Sequence, residues 1–134
     1  MNKYNGSYIG NLRCKVEHLA SACRIETDAP KDNQGKGELF SPTDLLAASL
    51  GTCMLTIIAI RAKTKKIDLG NVDFKIEKVM HSSPRKVASI RLKIKMSSIL
   101  TVEQRSYLES EGLNCPVALS LHPDIKQEVN FEYT

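Results

Sequence analysis

Hydrophobic and polar residues alternate with a period of two in the first, middle and last parts of the chain, which predicts β-strands there. Residues 8–16 and 22–27 predict a first hairpin, and residues 72–80 and 90–96 predict a second one. The same alternation in residues 129–133 predicts a last strand. Each strand has one mostly apolar and one mostly polar side, so we expect the strands to be half-buried.

The pattern changes after an aperiodic segment, residues 28–38, which predicts a loop. Ser41 offers an N-cap hydroxyl, Pro42 fits the first helical position, and Asp44 places an acid three residues after the cap. We predict a helix from this point to about Lys63. Because its middle is apolar or small on nearly every face, the helix must be buried all round. One chain of 134 residues has little material to enclose it, so we expect a second subunit.

Two short helices are predicted in the last third of the chain. Thr101 and Gln104 form a capping box that begins the first helix, which we expect Gly112 to end. Cys115, followed by a proline, begins the second. The mixture of hairpins and helices predicts an α+β fold. No repeat, low-complexity segment or boundary interrupts it, so we expect a single domain over residues 1–134.

Composition and charge limit the function classes. The chain has 134 residues with 19 Lys+Arg and 15 Asp+Glu, which suits one folded domain with a net charge of only +4. This small basic excess argues against nucleic-acid binding. The N-terminus resembles no signal peptide, and the longest apolar stretch, residues 45–60, is shorter than the roughly 20 residues that span a membrane. We therefore expect a cytoplasmic protein with no membrane partner.

Four cysteines carry the candidate chemistry: Cys14, Cys23, Cys53 and Cys115. They form no C-x-x-C motif and no zinc-finger spacing, so we expect no metal, and a cytoplasmic chain is not expected to use a disulfide framework. Cys115 lies at a helix start, where free N–H groups lower a thiol pKa. Spacing alone favours small buried hydrophobes for the other three, with Cys14 and Cys23 pointing inward from the first hairpin.

Two motifs and the order of the elements change this interpretation. The run from Phe40 to Cys53 (FSPTDLLAASLGTC) and residues 114–117 (Asn-Cys-Pro-Val) resemble the osmotically inducible protein C (OsmC) and organic hydroperoxide resistance (Ohr) family. The resemblance covers essentially the whole chain. It implies an OsmC-like α+β fold, with N-terminal and central β-hairpins wrapped around a long buried helix in an intertwined homodimer.

The resemblance also implies a function, the thiol-dependent reduction of organic hydroperoxides in protection from oxidative stress. By resemblance, Cys53 is the peroxidatic thiolate that attacks the O–O bond and becomes a sulfenic acid. Cys115 is the resolving thiol, which forms a disulfide that a dithiol then reduces. The implied partners are a second subunit, a small organic hydroperoxide and a dithiol reductant. No metal, nucleotide or other cofactor is implied.

One position departs from the family pattern. The family peroxidases carry an acid ten residues before the peroxidatic cysteine, paired with an arginine that keeps the thiolate charged. Thr43 stands there, and its neighbour Asp44 is rotated by about 100° along the helix and suits the helix N-terminus. Arg24 is our candidate for the arginine that activates Cys53, with Lys31 a poorer one because lysine forms no bidentate pair. The alternative is an OsmC-like protein without efficient peroxidase activity, acting as a small-ligand binder or a thiol carrier.

Overall fold

The computed structural model of the protein describes residues 1–97 and 99–134. The fold is α+β, as predicted, with two three-stranded sheets. The chain divides into two compact units, residues 1–46 and 47–134. The strands are β1 (Tyr4–Gly10), β2 (Arg13–His18), β3 (Cys23–Thr27), β4 (Asp73–Ser82), β5 (Arg85–Met96) and β6 (Lys126–Tyr133). The helices are α1 (Pro42–Thr64), α2 (Val102–Leu113) and α3 (Pro116–Ser120), with a short 3-10 turn at Lys31–Asn33.

The first unit contains an antiparallel sheet in the order β1-β2-β3. Its β2–β3 hairpin confirms one prediction, but the single strand predicted over residues 8–16 is wrong. Gly10 pairs with Arg13, and Asn11 and Leu12 form a two-residue turn with positive φ angles of 53° and 64°. Such a turn matches the twist of a hairpin, and asparagine tolerates the left-handed conformation. Apolar and polar positions keep alternating through the turn, so period alone could not reveal it.

Cys14 and Cys23 lie on one face of this sheet, where Cys14 is opposite Thr27 and Cys23 is opposite His18. Both cysteines are exposed, so the prediction that they point into a core is wrong. The face is apolar, yet Tyr8 is 66% exposed on it.

The second unit contains a sheet in the order β4-β5-β6, with β4–β5 antiparallel and β5–β6 parallel. Alternate residues of β5 are fully or almost fully buried, as the sequence predicted, and they form one core with the buried side of α1. Gly51 allows the helix to approach β4 closely, because a Cβ there would lie 3.0 Å from Ile76 and from Phe74. The core residues of β5 and α1 are Ile90, Leu92, Ile94, Met96, Leu50, Met54, Ile58 and Ala62.

Helix α2 begins with the predicted capping box. The Gln104 N–H donates to Thr101 Oγ1 at 3.1 Å, and the Thr101 N–H donates to Gln104 Oε1 at 2.9 Å. Gly112 does not end the helix, contrary to the prediction. The helix continues to Leu113, and a Cβ at Gly112 would lie only 2.8 Å from Ile58 Cδ1. Close packing of α2 against α1 therefore explains this glycine.

Helix α1 spans 23 residues and is long and apolar enough to cross a membrane by length and composition alone, a criterion that core helices of soluble proteins also meet. Only 33% of its most apolar window is buried. Ile60, for example, is 47% exposed. One chain therefore leaves this helix partly uncovered, as the sequence predicted, and the second subunit stays a prediction.

Candidate functional site

The structure brings Cys53 and Cys115 together in the second unit. Cys53 lies in the middle of α1, and Cys115 is the N-cap residue of α3. Their thiols are close enough to interact, since Cys53 contributes to the raised pKa of Cys115. Cys53 is half-buried, whereas Cys115 is 0% exposed. The pair therefore consists of one thiol that solvent reaches and one that the protein encloses.

Backbone hydrogen bonds fix Cys115 at the junction of α2 and α3. Its N–H donates to the Gly112 carbonyl at 3.1 Å, and its own carbonyl accepts the Leu119 N–H at 3.1 Å. The sulfur accepts the Ala118 N–H at 3.5 Å, in the manner of an N-cap side chain. Pro116 follows at the first helical position, as predicted. The thiol is thus held in a defined place beside Cys53.

Burial raises the pKa of the Cys115 thiol, because a thiolate is disfavoured away from water. The Ala118 and Val117 N–H groups act in the opposite direction, while the hydrogen bond and charge of Cys53 raise the pKa further. The sequence-based expectation of a lowered pKa at this helix start is therefore wrong, since burial outweighs the helix N–H groups. Cys115 remains a protonated thiol at neutral pH, and its S–H can be donated to Cys53.

The residues at the start of α1 form a reciprocal cap within the first unit. The Asp44 N–H donates to Ser41 Oγ at 3.1 Å, and the Ser41 N–H donates to Asp44 Oδ2 at 3.0 Å. This confirms that Asp44 serves the helix N-terminus. Thr43 Oγ1 lies 3.3 Å from Ser41 Oγ. A hydroxyl thus stands where the family peroxidases have an acid.

Arg24 lies on β3 in the first unit. Its side chain is 60% exposed, and its Nε is 3.6 Å from Glu17 Oε1 on the neighbouring strand. An ion pair of this kind on a surface is weak. The role of Arg24 in activating Cys53 stays a prediction.

The sequence analysis missed an ion-pair cluster around a buried carboxylate, Asp28, in the first unit. Arg13 Nη2 lies 2.7 Å from Glu38 Oε1 and 3.3 Å from Asp28 Oδ2, and the Asp28 side chain is only 1% exposed. The Glu38 N–H also donates to Asp28 Oδ2, and this hydrogen bond, together with Arg13, lowers the pKa of Asp28 against the effect of burial. Recognising Gly10-Asn11 as a turn signal would have placed Arg13 at the start of a strand, beside the loop.

Arg91 and Lys93, on the outer face of β5, are paired within their own sheet. Arg91 Nε lies 2.6 Å from Glu128 Oε2, and Lys93 Nζ lies 3.4 Å from Glu132 Oε1. These contacts agree with a solvated sheet face. No three His, Cys, Asp or Glu side chains gather as a metal site in residues 1–97 and 99–134.

The comparisons with known proteins agree with this fold. The model of the OsmC-like protein family matches residues 35–130, and the chain therefore belongs to the OsmC-like protein family. A search of curated protein sequences finds no significant match.

Solved structures include relatives at very different distances. A protein of Psychrobacter arcticus 273-4, provisionally described as an osmotic stress induced and detoxification response protein, is 46% identical, with a TM-score of 0.92 over 98% of this chain and 96% of that one. The organic hydroperoxide resistance protein OsmC of Legionella pneumophila is 18% identical, with a TM-score of 0.79 over 98% and 96%. OhrB of Bacillus subtilis is 14% identical, with a TM-score of 0.70 over 98% and 98%. The last two share the fold.

Proposed function

We propose that the protein reduces organic hydroperoxides with electrons from a dithiol, using Cys53 as the attacking residue and Cys115 as the resolving residue. The contact between a half-buried and a fully buried thiol carries this proposal. Family membership supports it, because the family includes organic hydroperoxide resistance proteins.

The reaction divides between the two sulfurs. The Cys53 thiolate attacks the O–O bond, the alkoxide leaves and takes a proton to become the alcohol, and Cys53 becomes a sulfenic acid. Cys115 keeps its proton until this stage because burial raises its pKa, and it gives the proton up as its sulfur attacks the sulfenic sulfur. The thiol proton leaves with the sulfenic hydroxyl as water, and the disulfide forms. A dithiol then returns two electrons and becomes a cyclic disulfide.

We also propose a homodimer as the working form, because apolar side chains remain exposed in each unit of the single chain. Ile60 on α1 is 47% exposed in the second unit. Tyr4, Tyr8 and Ile25 are 56%, 66% and 46% exposed on the sheet of the first unit. Covering a large apolar side chain is worth about 1.5–3 kcal/mol, so a second copy that covers these residues gains substantially. Reduced dithiols are a feature of the cytoplasm, which we propose as the location.

A second candidate function follows from Thr43, which replaces the acid of the family peroxidases. Asp44 serves the helix N-terminus, where its Oδ2 accepts the Ser41 N–H. An OsmC-like protein with threonine in place of this acid keeps both thiols without efficient peroxidase activity. It would act as a small-ligand binder or a thiol carrier.

Steady-state consumption of cumene hydroperoxide in the presence of dithiothreitol tests the leading proposal. The protein is expected to consume the hydroperoxide faster than dithiothreitol alone. Cys53→Ser should remove this excess, whereas Cys14→Ser, a change at an exposed strand cysteine, should keep it. A wild-type rate equal to that of Cys53→Ser would favour the second candidate.

A further inference from the structure

We propose that the thiol which reduces the Cys53–Cys115 disulfide attacks the sulfur of Cys53 and expels Cys115. This inference rests on the proposed function for the origin of the disulfide. It assigns a direction to the reductive half of the cycle, with Cys53 as the sulfur that bonds to the reductant and Cys115 as the leaving group.

The two sulfurs differ in how easily an external thiol reaches them. Thiol–disulfide exchange requires the attacking sulfur to approach the bond in line, from the side opposite the leaving sulfur. Cys115 is 0% exposed and is held by hydrogen bonds at its N–H, its carbonyl and its sulfur. An external thiol reaches it only if the junction of α2 and α3 opens. Cys53 is half-buried and needs no such opening.

The sulfur of Cys115, the leaving group, also has a hydrogen-bond donor beside it. When Cys115 leaves, negative charge develops on its sulfur, which lies 3.5 Å from the Ala118 N–H. This N–H group belongs to the first turn of α3 and has no carbonyl partner within the helix. It can therefore stabilise the departing thiolate without any rearrangement of the backbone.

One effect opposes this direction. A thiol with a raised pKa leaves more slowly, and burial raises the pKa of Cys115. Part of that increase comes from the charge of Cys53, and it disappears once Cys53 is bonded to the reductant. A slower departure of Cys115 reduces the rate of the reaction, whereas the enclosure of Cys115 blocks attack on its sulfur. Access therefore decides which sulfur the reductant attacks.

Two successive thiol–disulfide exchanges reduce the protein. The reductant thiolate bonds to Cys53 Sγ, the bond between the two cysteine sulfurs breaks, and its electron pair stays on Cys115, which then takes a proton. The second thiol of the reductant next attacks the reductant's own sulfur and releases Cys53 as a thiolate. One disulfide is reduced to two thiols, and one dithiol is oxidised to a cyclic disulfide.

The accessibility of each sulfur can be measured separately. In a background of Cys14→Ser and Cys23→Ser, which removes the exposed strand thiols, Cys115→Ser leaves only Cys53 and Cys53→Ser leaves only Cys115. Each single thiol is converted to its mixed disulfide with 5,5′-dithiobis(2-nitrobenzoic acid). Cysteamine, a monothiol, is then added, and protein that carries cysteamine is quantified by mass spectrometry at early times. This product forms by attack on the protein sulfur with loss of thionitrobenzoate, whereas attack on the outer sulfur returns a free protein thiol.

The Cys53 adduct should acquire cysteamine at least about tenfold faster than the Cys115 adduct, since Cys53 is half-buried and Cys115 is 0% exposed. Failure of Cys115 to react with the reagent in the folded protein, while Cys53 reacts, supports the same direction. Equal rates, faster acquisition of cysteamine by the Cys115 adduct, or a Cys53 that does not react would overturn the proposal.

A second measurement keeps both cysteines in place. The background protein is oxidised with diamide, exposed briefly to cysteamine, quenched in acid and alkylated, and the adduct is located by mass spectrometry. Cysteamine on Cys53 with alkylated Cys115 is the expected product at the earliest times. An adduct on Cys115, an even division, or no Cys53–Cys115 disulfide would contradict the inference. Neither experiment uses a hydroperoxide, so failure of the peroxidase proposal would be seen separately.

Discussion

The thiol of Cys53 in the middle of α1 lies beside the thiol of Cys115 at the start of α3, close enough to raise the pKa of Cys115. The contact depends on close packing of the elements that carry the two cysteines. Gly112, whose carbonyl accepts the Cys115 N–H, leaves no room for a Cβ against Ile58 of α1. The same glycine therefore links the backbone position of Cys115 to the packing of α2 against α1.

The pKa of Cys115 should fall when Cys53 is removed. In Cys53→Ala both the hydrogen bond and the charge that raise this pKa are lost, but burial, the larger cause, remains. The pKa of Cys115 should therefore move toward that of an ordinary thiol without reaching it. The pH dependence of alkylation, followed on the Cys115 peptide, measures the change, and an unchanged or higher pKa would contradict the contact.

The raised pKa also has a consequence for stability. A folded state that binds the thiol proton more tightly than the unfolded state is stabilised relative to it below the pKa of the unfolded thiol. The contribution is lost as the pH rises through the pKa of folded Cys115. The free energy of unfolding should thus fall more steeply at alkaline pH in the wild type than in Cys115→Ser.

Serine and alanine at position 115 should differ in stability. Cys115→Ser keeps a side-chain acceptor for the Ala118 N–H, whereas Cys115→Ala leaves this group without one. The loss of an N-cap acceptor costs about 0.5–2 kcal/mol, so the alanine variant should be less stable by that amount. Denaturant unfolding measures the difference, with Cys14→Ala as an exposed control. Equal stability of the two variants at position 115 would show that the sulfur has no capping role.

The protein should sediment as a dimer at micromolar concentration. Ile60 is apolar and 47% exposed on α1, and we expect a second copy to cover it. Ile60→Glu should shift the equilibrium toward monomer, because a carboxylate would be buried there, and Ile60→Leu should not. A folded 14.9-kDa monomer of the wild-type chain would exclude the proposed assembly.

The wild-type protein should be a slow peroxidase, and Thr43→Glu alone should not restore speed. An acid helps only by orienting an arginine toward the thiolate, and Arg24 is exposed beside Glu17. The test compares wild type, Thr43→Glu and Arg24→Ala. It follows the pH dependence of Cys53 alkylation and the rate of cumene hydroperoxide consumption.

Two outcomes of this comparison would change the account. A slow enzyme that Thr43→Glu accelerates would show that an arginine near Cys53 lacks its acidic partner. If adding Arg24→Ala removes this increase in rate, that arginine is Arg24. A fast wild-type enzyme that Arg24→Ala leaves unchanged would show that the activating cation is another residue and that Thr43 has little effect.

Local sequence patterns predicted most helices and strands, because these elements are determined by residues that are close together in the chain. The capping boxes at Ser41 and Thr101 and the proline after Cys115 define helix starts through hydrogen bonds within a few residues. The alternation in β5 reflects its single buried face. The contact of Cys53 with Cys115 is of another kind. It depends on two helices brought together by the core, and only the resemblance to a family suggested it.

Three of the errors have one cause, since each concerns a residue whose environment is set by distant parts of the chain. Gly112 has the residue type of a helix end, but packing against Ile58 explains it. The helix start that should lower the pKa of Cys115 is buried, and burial has the larger effect. The face of the first hairpin that was predicted to point inward is not buried, so Cys14 and Cys23 are exposed.

A single turnover without reductant tests the central claim most directly. Fully reduced protein is mixed with one equivalent of cumene hydroperoxide, and the cumyl alcohol and the disulfide-linked peptides are both quantified. The account predicts one alcohol for each disulfide between Cys53 and Cys115. It predicts no bond between Cys14 and Cys23 of one chain, because their four-residue offset on the sheet separates them by about 13 Å. A reduced protein that leaves the hydroperoxide intact, or one whose new disulfide does not join Cys53 to Cys115, would contradict it.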